Sequence, residues 1–380
     1  MKPARRLARA SCALALAALS ACARTPEPAQ DLTPLLQGLR LPAGFHVSIY
    51  AQGVAGAREL ALGANGTVFV GSNEPGKVYA LVDANHDGRA ERVSVLASGL
   101  QLPTGIAFHD GDLYIGAVRR LLVLHDIEHH LDAPPKLETI TDKLPTEASH
   151  GWKFLGFGPD GRLYVPVGAP CNVCEPDRYH AKLLSMKADG TDWRDAAVGI
   201  RNTVGFDWQP GSGQLWFTDN GRDMLGDDLP SDELDRVTRE GEHFGFPYCH
   251  QGDTLDPQFG QGKSCADYTP PVLNLGAHVA ALGMRFYNGT MFPPEYRGAA
   301  LIAEHGSWNR SRKSGYRVMA VRLDGARVVS VEPLLDGFEH DEIARGRPVD
   351  VLVMPDGAVL VSDDLAGAVY RITYAATITP

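Results

Sequence analysis

Ser149-His-Gly-Trp-Lys-Phe-Leu-Gly-Phe-Gly-Pro-Asp-Gly-Arg-Leu-Tyr-Val-Pro-Val-Gly168 reads as an apolar strand, a tight Pro-Asp-Gly turn and a second apolar strand. Proline presets φ, and Asp and Gly tolerate the turn's dihedrals. The phrase occurs six times in all. The other copies are Leu62–Gly66 leading to Thr67–Gly71, Phe108–Gly111 to Leu113–Gly116, Pro210–Gly213 to Leu215–Thr218, Tyr287–Gly289 to Ala299–Ala303 after an inserted Met291–Arg297, and Pro355–Gly357 to Val359–Ser362. A third apolar strand follows each second one, at Lys77–Leu81, Leu121–Leu124, Lys182–Met186, Leu234–Val237, Tyr316–Val321 and Ala368–Ile372.

Short β-rich segments punctuated by turns argue an all-β chain, and their recurrence argues a repeat architecture. The expected fold is a six-bladed β-propeller with four-stranded blades spanning residues 40–376. Gly44–Ala51 alternates like a strand but precedes the first copy. Pairing it with the C-terminal strands would complete the last blade and remove an open edge. Two long gaps, Gly221–Leu275 and Glu304–Pro348, carry inserts where binding residues are expected.

The 380-residue chain has 41 Gly, 26 Pro and a formal charge of −10, which argues against nucleic acid or an anionic lipid surface as partner. Lys2, Arg5, Arg6 and Arg9 precede the apolar run Ala13–Leu19 and then Leu19-Ser-Ala-Cys22. Residues 1–21 read as a lipoprotein signal peptide, with Cys22 as the lipidated residue; plain secretion cleaved near Ala21 is the alternative. Residues 22–39 read as a tether. The reading is an exported, periplasm-facing lipoprotein of the outer membrane, bound to the membrane by its lipid anchor only.

Apart from Cys12 and Cys22, four cysteines remain, which in an exported protein read as two disulfides. The natural pairing is Cys171–Cys174 and Cys249–Cys265. A zinc site is the rival, but Cys249 and Cys265 lack a second close spacing. Asp83-Ala-Asn-His-Asp-Gly-Arg89 starts like a calcium loop, but its twelfth position is Ser94; a turn between outer strands is expected, with a peripheral Ca²⁺ as the alternative.

His150 sits just ahead of the third copy's first strand, near a propeller's channel mouth, where an imidazole can act as general base. Arg201-Asn202 holds the equivalent place before the fourth copy. Asn220-Gly-Arg-Asp223, with Asp227, Asp228, Asp232 and Glu233, forms an oxygen-rich segment suited to calcium or, equally, to solvent. His278, His305, Trp308, Arg310 and Arg347 lie in loops of the fifth and sixth copies, His305-Gly-Ser-Trp-Asn-Arg310 being rich in donors around an aromatic plate.

The chain resembles the soluble glucose/sorbosone dehydrogenase family. The carriers are Leu102-Pro-Thr-Gly-Ile-Ala-Phe108, His150-Gly-Trp with Phe157-Gly-Pro-Asp-Gly-Arg-Leu-Tyr164, Gly199-Ile-Arg-Asn-Thr-Val-Gly205, Asp232-Glu-Leu with Phe244-Gly-Phe-Pro247, and Arg347-Pro-Val-Asp-Val351. Cys171-Asn-Val-Cys174, Tyr248-Cys249 and His305–Arg310 resemble the sorbosone-dehydrogenase branch. The resemblance implies oxidation of an aldose or sorbosone-type sugar by pyrroloquinoline quinone with Ca²⁺. It implies that His150 takes the proton of the sugar's C1 hydroxyl, with hydride passing to the quinone C5. It implies that Arg201, Asn202 and Arg347 contact the cofactor, with His278, His305 and Arg310 as further candidates, and that the Gly221 and Arg222 carbonyls hold the cation. Electrons would pass to a membrane quinone or a cytochrome. Three positions depart from the family: a second arginine is Val349 here, an acidic residue is Ala169, and a cofactor-facing threonine aligns with His278. Two alternatives stand beside this reading: a non-catalytic envelope propeller that binds a glycan or a protein on the same face, and a calcium-dependent lactonase-type propeller.

Overall fold

A computed structural model describes residues 31–375. Six sheets of antiparallel strands follow one another along the chain, as the repeat predicts. Blade 1 consists of Ala57–Leu62, Val68–Ser72, Val78–Val82 and Arg92–Ala97; blade 2 of Gly105–His109, Asp112–Gly116, Leu121–Leu124 and Glu138–Thr141. Blade 3 consists of Gly156–Phe157, Leu163–Val167, Lys182–Met186 and Arg194–Val198; blade 4 of Phe206–Trp208, Leu215–Asp219, Ser231–Arg236 and Leu273–Ala277. Blade 5 consists of Ala281–Phe286, Ala300–Glu304, Arg317–Asp324 and Arg327–Leu335. Blade 6 has three C-terminal strands, Pro348–Val353, Val359–Asp363 and Ala368–Tyr374.

The fourth strand of blade 6 is Phe45–Gln52, paired antiparallel from Phe45↔Tyr374 to Gln52↔Ala368. The ring is therefore closed by joining the two ends of the chain, which caps the unpaired edge of Ala368–Tyr374. Phe45 is buried and packs edge-on against Phe292, Tyr296 and Tyr374.

One apolar cluster fills each blade-to-blade interface. Between blades 5 and 6, for example, Leu301, Val318 and Leu334 meet Val351, Val359 and Tyr370. Strands rich in Val, Ile and Leu on both faces fit this sandwiching, because a blade's two faces are both covered.

The packed structure begins earlier than the tether reading places it. Thr33–Gly38 is a short helix, and Leu32 and Leu35 are buried in the cluster between blades 5 and 6. The Gly221–Leu275 insert contains Glu242–His243, which adds a parallel fifth strand to blade 3, and a small hairpin, Cys249–His250 with Thr254–Leu255. The Glu304–Pro348 gap holds two full strands of blade 5, so only its two ends are loops. Both expected disulfides, Cys171–Cys174 and Cys249–Cys265, are formed. Asp83–Arg89 is the turn between the two outer strands of blade 1; its Asp83 carboxylate accepts the Asp87 and Gly88 N–H groups. The signal-peptide, lipidation and Cys22 readings fall outside the described residues.

Candidate active site

The segments just ahead of the first strands converge on one end of the ring, around a cavity of about 560 Å³. His150, Arg201, Asn202, Gly221, His278, His305 and Arg347 all line it, with Trp152, Asn172, Asp223, Asp232, Trp308 and Asp364. Repeat geometry explains the convergence: equivalent positions of successive blades point into the same channel mouth.

His150 has φ +49°, a left-handed conformation that costs a non-glycine residue about 1–3 kcal/mol. Gly168 makes room for it, since a Cβ there would stand 2.6 Å from the His150 Cβ. Its Nδ1 lies 2.8 Å from the Ala169 carbonyl oxygen. A carbonyl only accepts, so Nδ1 carries the proton and Nε2 keeps its lone pair. Burial, and then the Arg201 charge, push the imidazole down to about 4, so the ring is neutral near pH 7. Ala169, one of the family departures, is thus useful through its backbone.

Arg201 and Asn202 are both buried. The Asp219 carboxylate fixes their backbone, accepting the Arg201 N–H at 2.7 Å and the Asn202 N–H at 2.6 Å. The Arg201 guanidinium donates to the Asn172 carbonyl (2.8 Å), Asn172 Oδ1 (3.0 Å), the Asn220 carbonyl (3.2 Å) and Asp223 (3.0 Å). Asn172 also accepts the Asp223 N–H at 2.8 Å and donates to the Asp223 carbonyl at 3.1 Å. The short Cys171–Cys174 ring therefore presents one residue that ties blade 3's loop to the Gly221 loop.

Gly221 is held by its N–H to Asp232 at 2.8 Å. The carbonyl oxygens of Gly221 and Arg222 accept no hydrogen bond from the described residues. The Arg222 side chain turns away, pairing with buried Asp256 at 2.5 Å. Asn202 Oδ1 and Arg58 Nε are buried without a hydrogen-bond partner among the described residues. Arg58, Asn202 and Gly221 line the cavity and Arg222 is not among its lining residues, so one orphaned acceptor, one orphaned donor and one unused carbonyl meet there, a set able to take a cation and an anionic ligand.

Arg310 is not among the residues that line the cavity; its guanidinium donates to the Asp227 carbonyl (2.9 Å) and Asp228 (2.8 Å), so it stitches two loops together. Trp308, two residues before it, stays at the rim and is 71% exposed. His278 lines the cavity, but its Nε2 lies 2.8 Å from the Gly226 carbonyl, which holds the ring in place. His305 and Arg347 meet on one carboxylate, Asp364, which sequence reading passed over. Arg58 was also missed: it lies inside blade 1's first strand, Ala57–Leu62, where the sequence reads as a strand and not as a channel-mouth loop.

The glucose/sorbosone dehydrogenase family pattern matches residues 114–371. A relative from Borreliella burgdorferi, described only as an uncharacterized protein, is 34% identical over 352 residues, covering 88% of this chain and 91% of that protein. The holo form of a pyranose dehydrogenase PQQ domain from Coprinopsis cinerea superposes with a TM-score of 0.76 at 20% identity, covering 88% of this chain and 97% of that one. The calcium structure of a Trichoderma reesei carbohydrate-active enzyme of family AA12 gives 0.77 at 18%, over 89% and 97%. The PQQ-bound aldose sugar dehydrogenase of Streptomyces coelicolor gives 0.61 at 18%, over 88% and 100%. These structures share the fold.

Proposed function

This chain belongs to the glucose/sorbosone dehydrogenase family, and on that premise we propose that it is a quinoprotein that oxidises an aldose or sorbosone-type sugar at the channel mouth. The observation that carries the reading is His150: a neutral, half-buried imidazole at the cavity, with Nδ1 tied to a carbonyl and Nε2 without a partner among the described residues. Pyrroloquinoline quinone, when bound, supplies the hydride acceptor.

The residues divide the work. His150 Nε2 takes the proton of the sugar hydroxyl, and the fixed tautomer keeps it aimed. Arg201, immobilised by four acceptors, offers a permanent positive charge that needs no reorganisation. Asn202 Oδ1 and the Gly221 and Arg222 carbonyls would hold the Ca²⁺ and the cofactor's polar edge. Trp308 and Trp152 give the cavity flat apolar surfaces for a sugar or a planar ring. The Cys171–Cys174 loop and the His305–Arg310 segment favour the sorbosone branch. Transfer of electrons to a membrane quinone or a cytochrome, from a protein anchored through Cys22 and facing the periplasm, completes the proposal.

A lactonase would need carboxylates free to gather round a metal. Among the described residues, Asp223 is committed to Arg201 and Asn309, Asp232 to backbone N–H groups and Asp364 to cations. A redox dye assay tests the choice: purified protein with quinone and Ca²⁺ should reduce the dye with aldoses. Lactone hydrolysis without quinone, and no dye reduction, would replace the proposal.

A further inference from the structure

One corner of the cavity carries more positive charge than its own contacts neutralise. Asp364 lies at its centre, 9% exposed. Its carboxylate receives Arg347 Nε at 3.0 Å, Arg58 Nη1 at 3.1 Å and Asn73 Nδ2 at 3.2 Å, with His305 Nε2 3.1 Å from both oxygens. Burial alone would raise this carboxyl, but His305, Arg58 and Arg347 outweigh it and hold it far down, so it stays ionised. Burial also lowers the His305 imidazole and favours its neutral form. Two guanidinium charges then face one carboxylate.

Arg58 is the more deeply buried of the two. It is 5% exposed and lies at the base of the cavity, on the irregular stretch of blade 1 between Ala57 and Leu60. Ser362 Oγ donates to its carbonyl and helps fix the backbone. Among the described residues only Nη1 has a partner, and Nε is buried without one. Arg347, 37% exposed at its side chain, uses only Nε and keeps both terminal nitrogens without a partner among the described residues. A buried cation with unsatisfied donors is costly, and an anion that can accept two parallel N–H bonds relieves it.

We propose that Arg58 and Arg347, positioned by Asp364, form a carboxylate-receiving corner, with Arg58 as an anion-binding residue that anchors one acidic group of the planar ligand. The inference rests on the quinone reading given above and assigns that ligand's carboxylate end to the junction of blades 6 and 1. Asn73 and His305 complete the corner by holding Asp364 between the two arginines.

The test compares binding of pyrroloquinoline quinone with binding of its triester, which has the same ring and no carboxylate charge. Quenching of tryptophan fluorescence reads affinity without turnover, since Trp152 and Trp308 line the same cavity. Wild type should prefer the acid, and Arg58→Gln should lose about tenfold or more of that preference, the scale of one hydrogen bond to a charged group. Arg58→Met, which keeps the shape without the charge, should lose it equally and serves if the Gln variant does not fold. A preference unchanged in a folded Arg58 variant overturns the inference while leaving the quinone reading intact. Failure of wild type to bind either compound overturns the quinone reading, and this inference with it.

Discussion

The His150 ring and the Ala169 carbonyl, 2.8 Å apart, fix the chemistry of this cavity. The contact joins the segment before blade 3's first strand to the segment after its second. It turns an apolar position into the device that sets the tautomer of the proposed base.

The burial of this ring has a pH consequence. Burial, followed by the Arg201 charge, lowers the imidazole to about 4, and the carbonyl bond opposes this without cancelling it. The base is active when neutral, so activity should be lost as pH falls through about 4 rather than through the ordinary 6.5. A profile of kcat/KM against pH in the reconstituted protein checks this, and an acid limb near 6.5 would contradict it.

Replacing the base should separate chemistry from binding. His150→Ala should lower kcat by about 10²–10⁴-fold while leaving quinone affinity within a few-fold of wild type. Stopped-flow turnover and fluorescence titration give the two numbers. Parallel loss of affinity would assign His150 to binding.

Asn172 carries a different prediction. It holds Arg201 through two acceptors and Asp223 through two further bonds. Asn172→Ala removes the side-chain share of these, and kcat/KM should fall by about tenfold with little change in the midpoint of unfolding. Reduction of the Cys171–Cys174 bridge should act in the same direction. A normal kcat/KM in a folded variant would show that Arg201 holds its place without this loop.

Ring closure is testable without a ligand. Phe45 is 7% exposed among three aromatic rings, at the strand that joins the chain's two ends. Phe45→Ala should cost about 3–5 kcal/mol, read from denaturant unfolding. A loss below about 1 kcal/mol would mean that blade 6 does not depend on this strand.

Much of this was legible before any coordinates. The repeated turn phrase is local chemistry, and Pro-Asp-Gly between apolar strands reports itself, so six blades and the closing strand could be read directly. His150 and Arg201-Asn202 were legible as channel-mouth residues because they occupy equivalent places in successive copies, and Gly221 because it sits in an oxygen-rich segment after a second strand. Arg58 and Asp364 were not, because their role comes from the meeting of blades 1 and 6, some three hundred residues apart along the chain. Arg310 misled for the converse reason. A cationic residue in a donor-rich loop resembles a ligand contact until the acidic loop that captures it, Asp227-Asp228, is brought alongside.

The central claim, that His150 drives oxidation of a sugar by a quinone held at this mouth, reduces to one experiment. Protein loaded with pyrroloquinoline quinone and Ca²⁺ is mixed anaerobically with an aldose, and the quinone absorbance is followed in a single turnover. The account predicts that the oxidised spectrum bleaches in wild type and persists in His150→Ala, with both proteins loaded equally. Bleaching at the same rate in both, or no binding of the quinone by wild type, would contradict it.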